Sequence, residues 1–154
     1  MRKDRKKTLE KKKLEFLLGS KEYKETLKEV CLDIIKGSES ADNEATVVSV
    51  FELEIFTLIK EVLGLKYYPE KEKSVSTERH VAKGRIDSKV GALVIEFKQP
   101  SSFNTSKKKK SATSQIIEYL EGLYAENETD YLGIVTDGVE CQVVNMVLGK
   151  IFKG

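Results

Sequence analysis

The spacing of apolar residues divides the chain into stretches of helical period and stretches of strand period. Residues 1–37 mix Lys, Glu and Leu with few breakers, which predicts one or two polar helices forming an N-terminal arm. "KGSESADNE", residues 36–44, collects small and cap-forming residues and reads as a linker. Over 44–63 the apolar positions Val48, Phe51, Ile55, Leu58, Ile59 and Val62 recur at helical spacing, and Gly64 ends the run. "LKYYPEKEKSV" then reads as a strand, with Pro69 favouring an edge or bulge, and "HVAKGRIDS" and "ALVIEFK" as two more. "SATSQIIEYLEGLYAE" returns to helical period with Ile116, Ile117, Leu120 and Leu123 inward. "YLGIVTDGVECQVVNMV" reads as strand, Asp137-Gly138 turn, strand. The order helix, three strands, helix, two strands predicts an α/β fold, a sheet flanked by helices, without internal repeats.

One turn fixes a register. Gly91-Ala92 suits a two-residue type II′ turn, whose first central position takes glycine. With Val90 and Leu93 flanking it, Asp87 falls opposite Glu96 and Arg85 opposite Lys98. Ile86, Leu93, Ile95 and Phe97 then share one face, read as the core side, and the four charges gather on the other. A slip of one residue would scatter them.

Composition narrows the class. At 154 residues, 40% hydrophobic and 34% charged, the chain suits one folded domain with its own core. No apolar run is long enough to span a bilayer, and none follows the basic start "MRKDRKKTLEKKK" to make a signal peptide. The expectation is a cytoplasmic protein with no membrane partner. Cys31 and Cys141 stand in no metal or redox spacing and read as reduced thiols. Net charge is only +2, yet lysine and arginine concentrate in the first thirteen residues and in "SKKKKS", residues 106–111. Such runs serve as solvated tails and loops, or as contacts to a polyanion whose phosphates release counterions.

Two carboxylates facing across a hairpin repel. A divalent cation resolves the conflict, because Mg²⁺ is held by one or two carboxylates together with waters and phosphate oxygens. Lys98 reaches the same space and can steady charge building on a phosphate under attack by water. These are the parts needed for phosphodiester hydrolysis. The competing reading is a solvated hairpin face on which Arg85, Asp87, Glu96 and Lys98 pair as surface ions. Glu-x-Lys also occurs at Glu10 and Glu22, so its weight here comes from the strand setting and the acid across the turn.

Asp87, then Glu96-x-Lys98 after a β-turn, then a helix carrying Gln115-x-x-x-Tyr119, resembles the PD-(D/E)XK nuclease superfamily. The closest flavour is the N-terminal nuclease domain of type I and type IIG restriction enzymes. The resemblance covers roughly 42–147 and implies a restriction-endonuclease-like core, a central mixed sheet flanked by helices in the order αβββαβ. Residues 1–37 would be an added arm and 38–154 the nuclease-like domain, a fragment of a longer protein since "GKIFKG" follows directly on a strand. Ile86 stands where the family has proline. The resemblance implies that Asp87 and Glu96 bind Mg²⁺, with Mn²⁺ able to substitute, and that Lys98 supports catalysis. It further implies that a glutamate of the first helix completes the metal site and that Gln115 and Tyr119 border it.

The helix acid is chosen by phase. Glu44 falls in line with Val62 and near Phe51 and Ile55, whereas Glu52 sits at the stripe's edge beside Ile59. An inward carboxylate is expensive unless paired or ligating, which makes Glu44 the first choice and Glu52 the alternative. As the first residue of a helix, Glu44 also suits the free amides there. Gln115 and Tyr119 share a helix face, as part of a site or as the polar edge of an amphipathic helix. Lys107, Lys108, Lys109 and Lys110 would lie in a loop following a DNA backbone, with Arg85 as a further contact. His80, the only histidine, reads as a strand-surface residue rather than a general base. The expected function is a Mg²⁺-dependent DNA endonuclease domain of a restriction–modification or phage-defence enzyme, working with methyltransferase and target-recognition parts. The alternatives are a same-fold resolvase, repair or RNA-directed nuclease, and a non-catalytic nucleic-acid-binding or assembly domain.

Overall fold

In the computed structural model, which describes residues 2–64, 70–75 and 84–154, the Lys- and Glu-rich start forms two helices, α1 (Arg2–Gly19) and α2 (Lys21–Glu39). Ser20 separates them and caps α2, its hydroxyl accepting the Tyr23 N–H at 3.2 Å. The linker expected over 36–44 shrinks to residues 40–43, because α2 continues to Glu39. Val30 and Ile34 give α2 an apolar face, which packs on Leu58, Phe51 and Ile55. Ser38 is fully buried against Gly138, where a Cβ would stand 2.0 Å from the Ser38 Oγ. The break expected at 37–38 therefore falls inside a packed helix.

Asn43 caps α3 (Glu44–Phe56), accepting the Thr46 N–H at 2.9 Å. A π-helical segment, Thr57–Val62, carries the helix on to Gly64, whose φ is +63°. Phe51, Ile55, Leu58 and Val62 meet α2, while Val47, which the sequence stripe omits, is fully buried against the sheet.

Six strands form one sheet among the described residues. They are β1 (Glu70–Val75), β2 (Gly84–Val90), β3 (Leu93–Phe97), β4 (Leu132–Thr136), β5 (Cys141–Val147) and β6 (Lys150–Lys153), in that spatial order. β3 and β4 are parallel and the other neighbours antiparallel, giving a mixed sheet. The parallel pair requires a crossover, which α4 (Ser106–Asn127) supplies. Alternate residues of β3 consequently face two covered layers. Val94 meets Ile116, Leu120 and Leu123 of α4, and Ile95 and Phe97 meet Val47 and Phe51 of α3. This corrects the expectation of a single core face: the Glu96 and Lys98 side of β3 lies under α4.

Two further elements differ from the sequence reading. α4 begins five residues early, since Thr105 caps it and lysine is a good helix former, so Lys107–Lys110 occupy its first turns and are not a loop. β6 is an addition to the expected strands. Leu148 and Gly149, both at positive φ, turn the chain back, and Asp130 holds the turn by accepting their N–H groups at 2.8 and 2.9 Å. Cys31 and Cys141 are free and exposed, with burial and the nearby Cys31 pushing the Cys141 thiol up. Among the described residues no helix is long and apolar enough to cross a membrane. His80 and residues 65–69 and 76–83, with parts of two expected strands, lie outside the described residues.

Candidate active site

The β2–β3 hairpin pairs Val90 with Leu93, Lys89 with Val94 and Ser88 with Ile95, the register its turn predicts. Gly91 has φ +56° while Ala92 stays at negative φ, as type II′ geometry requires. The next hydrogen-bonded rung would join Ile86 to Phe97. Instead the Phe97 N–H donates to Asp87 Oδ2 at 2.8 Å. Asp87 is thus not the simple ladder partner of Glu96 that the register suggests. Its carboxylate replaces a backbone acceptor where the two strands part.

Glu96 follows Val94 onto the α4 side and is only 4% exposed, which excludes the reading of Glu96 and Lys98 as a surface ion pair. Its Oε1 accepts from the Lys98 ammonium at 2.8 Å, and its buried Oε2 has no hydrogen-bond partner among the described residues. Lys98 extends the parallel pairing one step, its N–H donating to Thr136 O at 2.9 Å. Its ammonium also donates to Gln115 Oε1 at 2.6 Å, and Gln115 Nε2 donates to the Tyr119 hydroxyl at 2.8 Å. A continuous chain of bonds therefore runs from α4 to the carboxylate: Tyr119, Gln115, Lys98, Glu96.

The charges around this chain are coupled. Burial pushes Glu96 up from 4.5 to about 7; the Lys98 hydrogen bond opposes the rise and the Asp87 carboxylate adds to it. Glu44 is raised as well, by burial first, then by Asp87, with Lys98 pulling the other way. Glu44, in the first turn of α3, therefore lies within electrostatic reach of Asp87 and Lys98. Glu52, the alternative, lies eight residues further, about 12 Å along the helix axis. Hydrogen bonds thus join Glu96, Lys98, Gln115 and Tyr119, with Asp87 bonded to the neighbouring Phe97 N–H, while Glu44 feels the charges of Asp87 and Lys98.

The remaining expected residues are dispersed. Lys107, Lys108 and Lys110 are exposed on α4, while Lys109 pairs with Glu140. Arg85 takes its place in β2 opposite Ser74 of β1. One positioning residue escaped the sequence reading. Asp137, buried after β4, accepts the Phe103 N–H at 3.1 Å with Oδ2, and the Val139 and Glu140 N–H groups at 3.1 and 3.0 Å with Oδ1. It ties the β3–α4 connection to the β4–β5 turn. The Asp-Gly pair signals a turn, but nothing local points to Phe103.

Among the described residues, no three His, Cys, Asp or Glu side chains form a ready-made metal cage. The donor set nonetheless suits Mg²⁺, which needs only one or two carboxylates and takes its other oxygens from water and phosphate. A buried carboxylate oxygen without a partner, beside a second acid, is the feature such an ion would satisfy. No protein-family model matches the chain, and no curated protein or solved structure matches it either.

Proposed function

We propose that the chain is a Mg²⁺-dependent DNA endonuclease domain of the PD-(D/E)XK kind, belonging to a restriction–modification or other phage-defence enzyme. The observation that carries this reading is the buried Glu96, whose Oε2 lacks a partner among the described residues while Asp87 and Lys98 flank it. A structural carboxylate at that depth would be fully hydrogen-bonded. The order of elements, with a parallel strand pair bearing Glu96 and Lys98, supports the same reading.

Asp87 and Glu96, joined by Glu44, would hold Mg²⁺, which supplies positive charge against phosphate oxygens and acidifies water. The rest of the chemistry belongs to the chain. Glu96 and Gln115 each take one donor of the Lys98 ammonium, which leaves the third to meet charge developing on the phosphate. The Lys98 ammonium, a donor only, requires the Gln115 oxygen to face it, and the outward-facing amide nitrogen is then received by the Tyr119 hydroxyl. Below about pH 7 Glu96 holds a proton, and its second oxygen is then lost as an anionic donor. Sequence choice on DNA falls to separate target-recognition and methyltransferase parts.

The test is nicking of supercoiled plasmid with Mg²⁺ or Mn²⁺ by the parent chain, Asp87→Ala and Lys98→Ala. Metal-dependent nicking by the parent alone is expected. Equal cleavage by all three marks a contaminant and removes the support, and DNA binding without cleavage turns the assignment to a non-catalytic binding domain.

A further inference from the structure

The four lysines that open α4 are not equivalent. On a helix with about 100° per residue, the buried stripe Ala112, Ile116, Tyr119, Leu120 and Leu123 defines the direction of the core. Gln115 lies on one shoulder of that stripe, where it meets Lys98 of the β3 edge. Lys109 lies about 120° from it, in line with the stripe itself but nearer the helix start, where it pairs with Glu140 beside β5. Lys110 is turned roughly 140° from Gln115 and projects away from the sheet. Lys107 sits about 80° off, also toward solvent. Only Lys108 is within roughly 20° of Gln115, and exposed Ser111 lies between them along the axis, about 40° off.

Helix phase thus separates one lysine from its neighbours and sets it on the flank where Asp87, Glu96 and Lys98 converge. The Lys108 ammonium has no ion-pair partner among the described residues. Its Cα stands about 10.5 Å from that of Gln115 along the helix axis.

We infer that Lys108, helped by the Ser111 hydroxyl, grips the backbone of the cleaved strand to one side of the bond at Lys98, whereas Lys109 and Lys110 make no such contact. This inference rests on the nuclease reading and names how that site holds its substrate. Lys108 is a binding and positioning residue: its contact sets where the strand lies relative to Lys98.

The experiment uses the full chain carrying Asp87→Asn, so that a mixed-sequence duplex is bound and not cut. Fluorescence anisotropy across a salt series then compares this background with added Lys108→Ala or Lys110→Ala. Loss of one phosphate contact lowers the slope of log K against log salt by about 0.9. That drop is expected for Lys108→Ala, with the slope of Lys110→Ala unchanged. Equal drops, or none, overturn the assignment to Lys108 while plasmid nicking by the parent still upholds the nuclease reading. A parent chain that neither binds duplex nor nicks plasmid overturns both.

Discussion

Asp87 on β2 accepts the backbone N–H of Phe97 on β3 at 2.8 Å, so an acid takes the place of a hairpin rung. Beyond the last β2–β3 rung, Glu96 and Lys98 keep their backbone pairing with β4 alone. Asp87→Ala should leave the Phe97 N–H without an acceptor and cost about 1–3 kcal/mol in urea unfolding. Asp87→Asn keeps an acceptor oxygen and should cost less than half as much, while abolishing the stabilisation that Mg²⁺ gives the parent. Unfolding curves of the three proteins with and without Mg²⁺ separate the structural role from the ionic one.

Glu96 predicts a pH dependence of stability. Its folded value of about 7 lies above the ordinary 4.5, so between these limits the folded chain binds more protons than the unfolded chain. Stability should therefore fall as pH rises from 4.5 to 7. The slope is about 1.4 kcal/mol for each pH unit, and the curve should level off above that range. Glu96→Gln should flatten that slope and be the more stable protein above pH 7, while losing nicking. Mg²⁺ should raise the parent's melting temperature more above about pH 7 than below about pH 5, because a proton and the ion compete for the same oxygen.

The Tyr119–Gln115–Lys98 chain predicts graded effects. Gln115→Ala frees the Lys98 ammonium and should lower single-turnover cleavage by roughly 100-fold, about the effect of losing one preorganised donor. Tyr119→Phe removes the acceptor that steadies the Gln115 amide nitrogen and should cost about tenfold, with DNA affinity unchanged. A Tyr119→Phe protein that cleaves like the parent would show that the Lys98 bond alone holds Gln115 in place.

Gly138 tests whether α2 belongs to the folding unit. Its φ of +88° disfavours any side chain, and a Cβ would approach Ser38 Oγ to 2.0 Å. Gly138→Ala should destabilise by about 3 kcal/mol, and Ser38→Gly in the same chain should restore the part due to the clash. Strict additivity of the two changes in urea unfolding would mean that α2 and the β4–β5 turn do not press on each other.

Much of the candidate site was legible because a tight turn converts sequence distance into position. Gly91-Ala92 alone placed the β2–β3 register and so brought Asp87, Glu96 and Lys98 to one end of the hairpin. Spacing of four placed Gln115 and Tyr119 on one helix face. What stayed hidden depends on distant partners. A lysine run looks like a loop until Thr105 is seen to cap it, and "KIFK" becomes a strand only when Asp130 fastens the turn before it. The choice of Glu44 over Glu52 needed the approach of α3 to the sheet edge, which helical phase suggested and its coupling to Asp87 and Lys98 supports. The depth of Glu96 was missed because the charged face of the hairpin gives no sign that a helix will cover it.

The single parallel junction, between β3 and β4, bears on assembly of the molecule. The β2–β3 hairpin is local and can form within microseconds of collapse, but it carries only half of the polar chain. Lys98 gains its Thr136 contact only after the chain has wound through the crossover and returned, closing a loop of nearly forty residues. Working geometry therefore arrives late and all at once in folding, and a nascent chain stalled before β4 would carry the acids without the lysine in place.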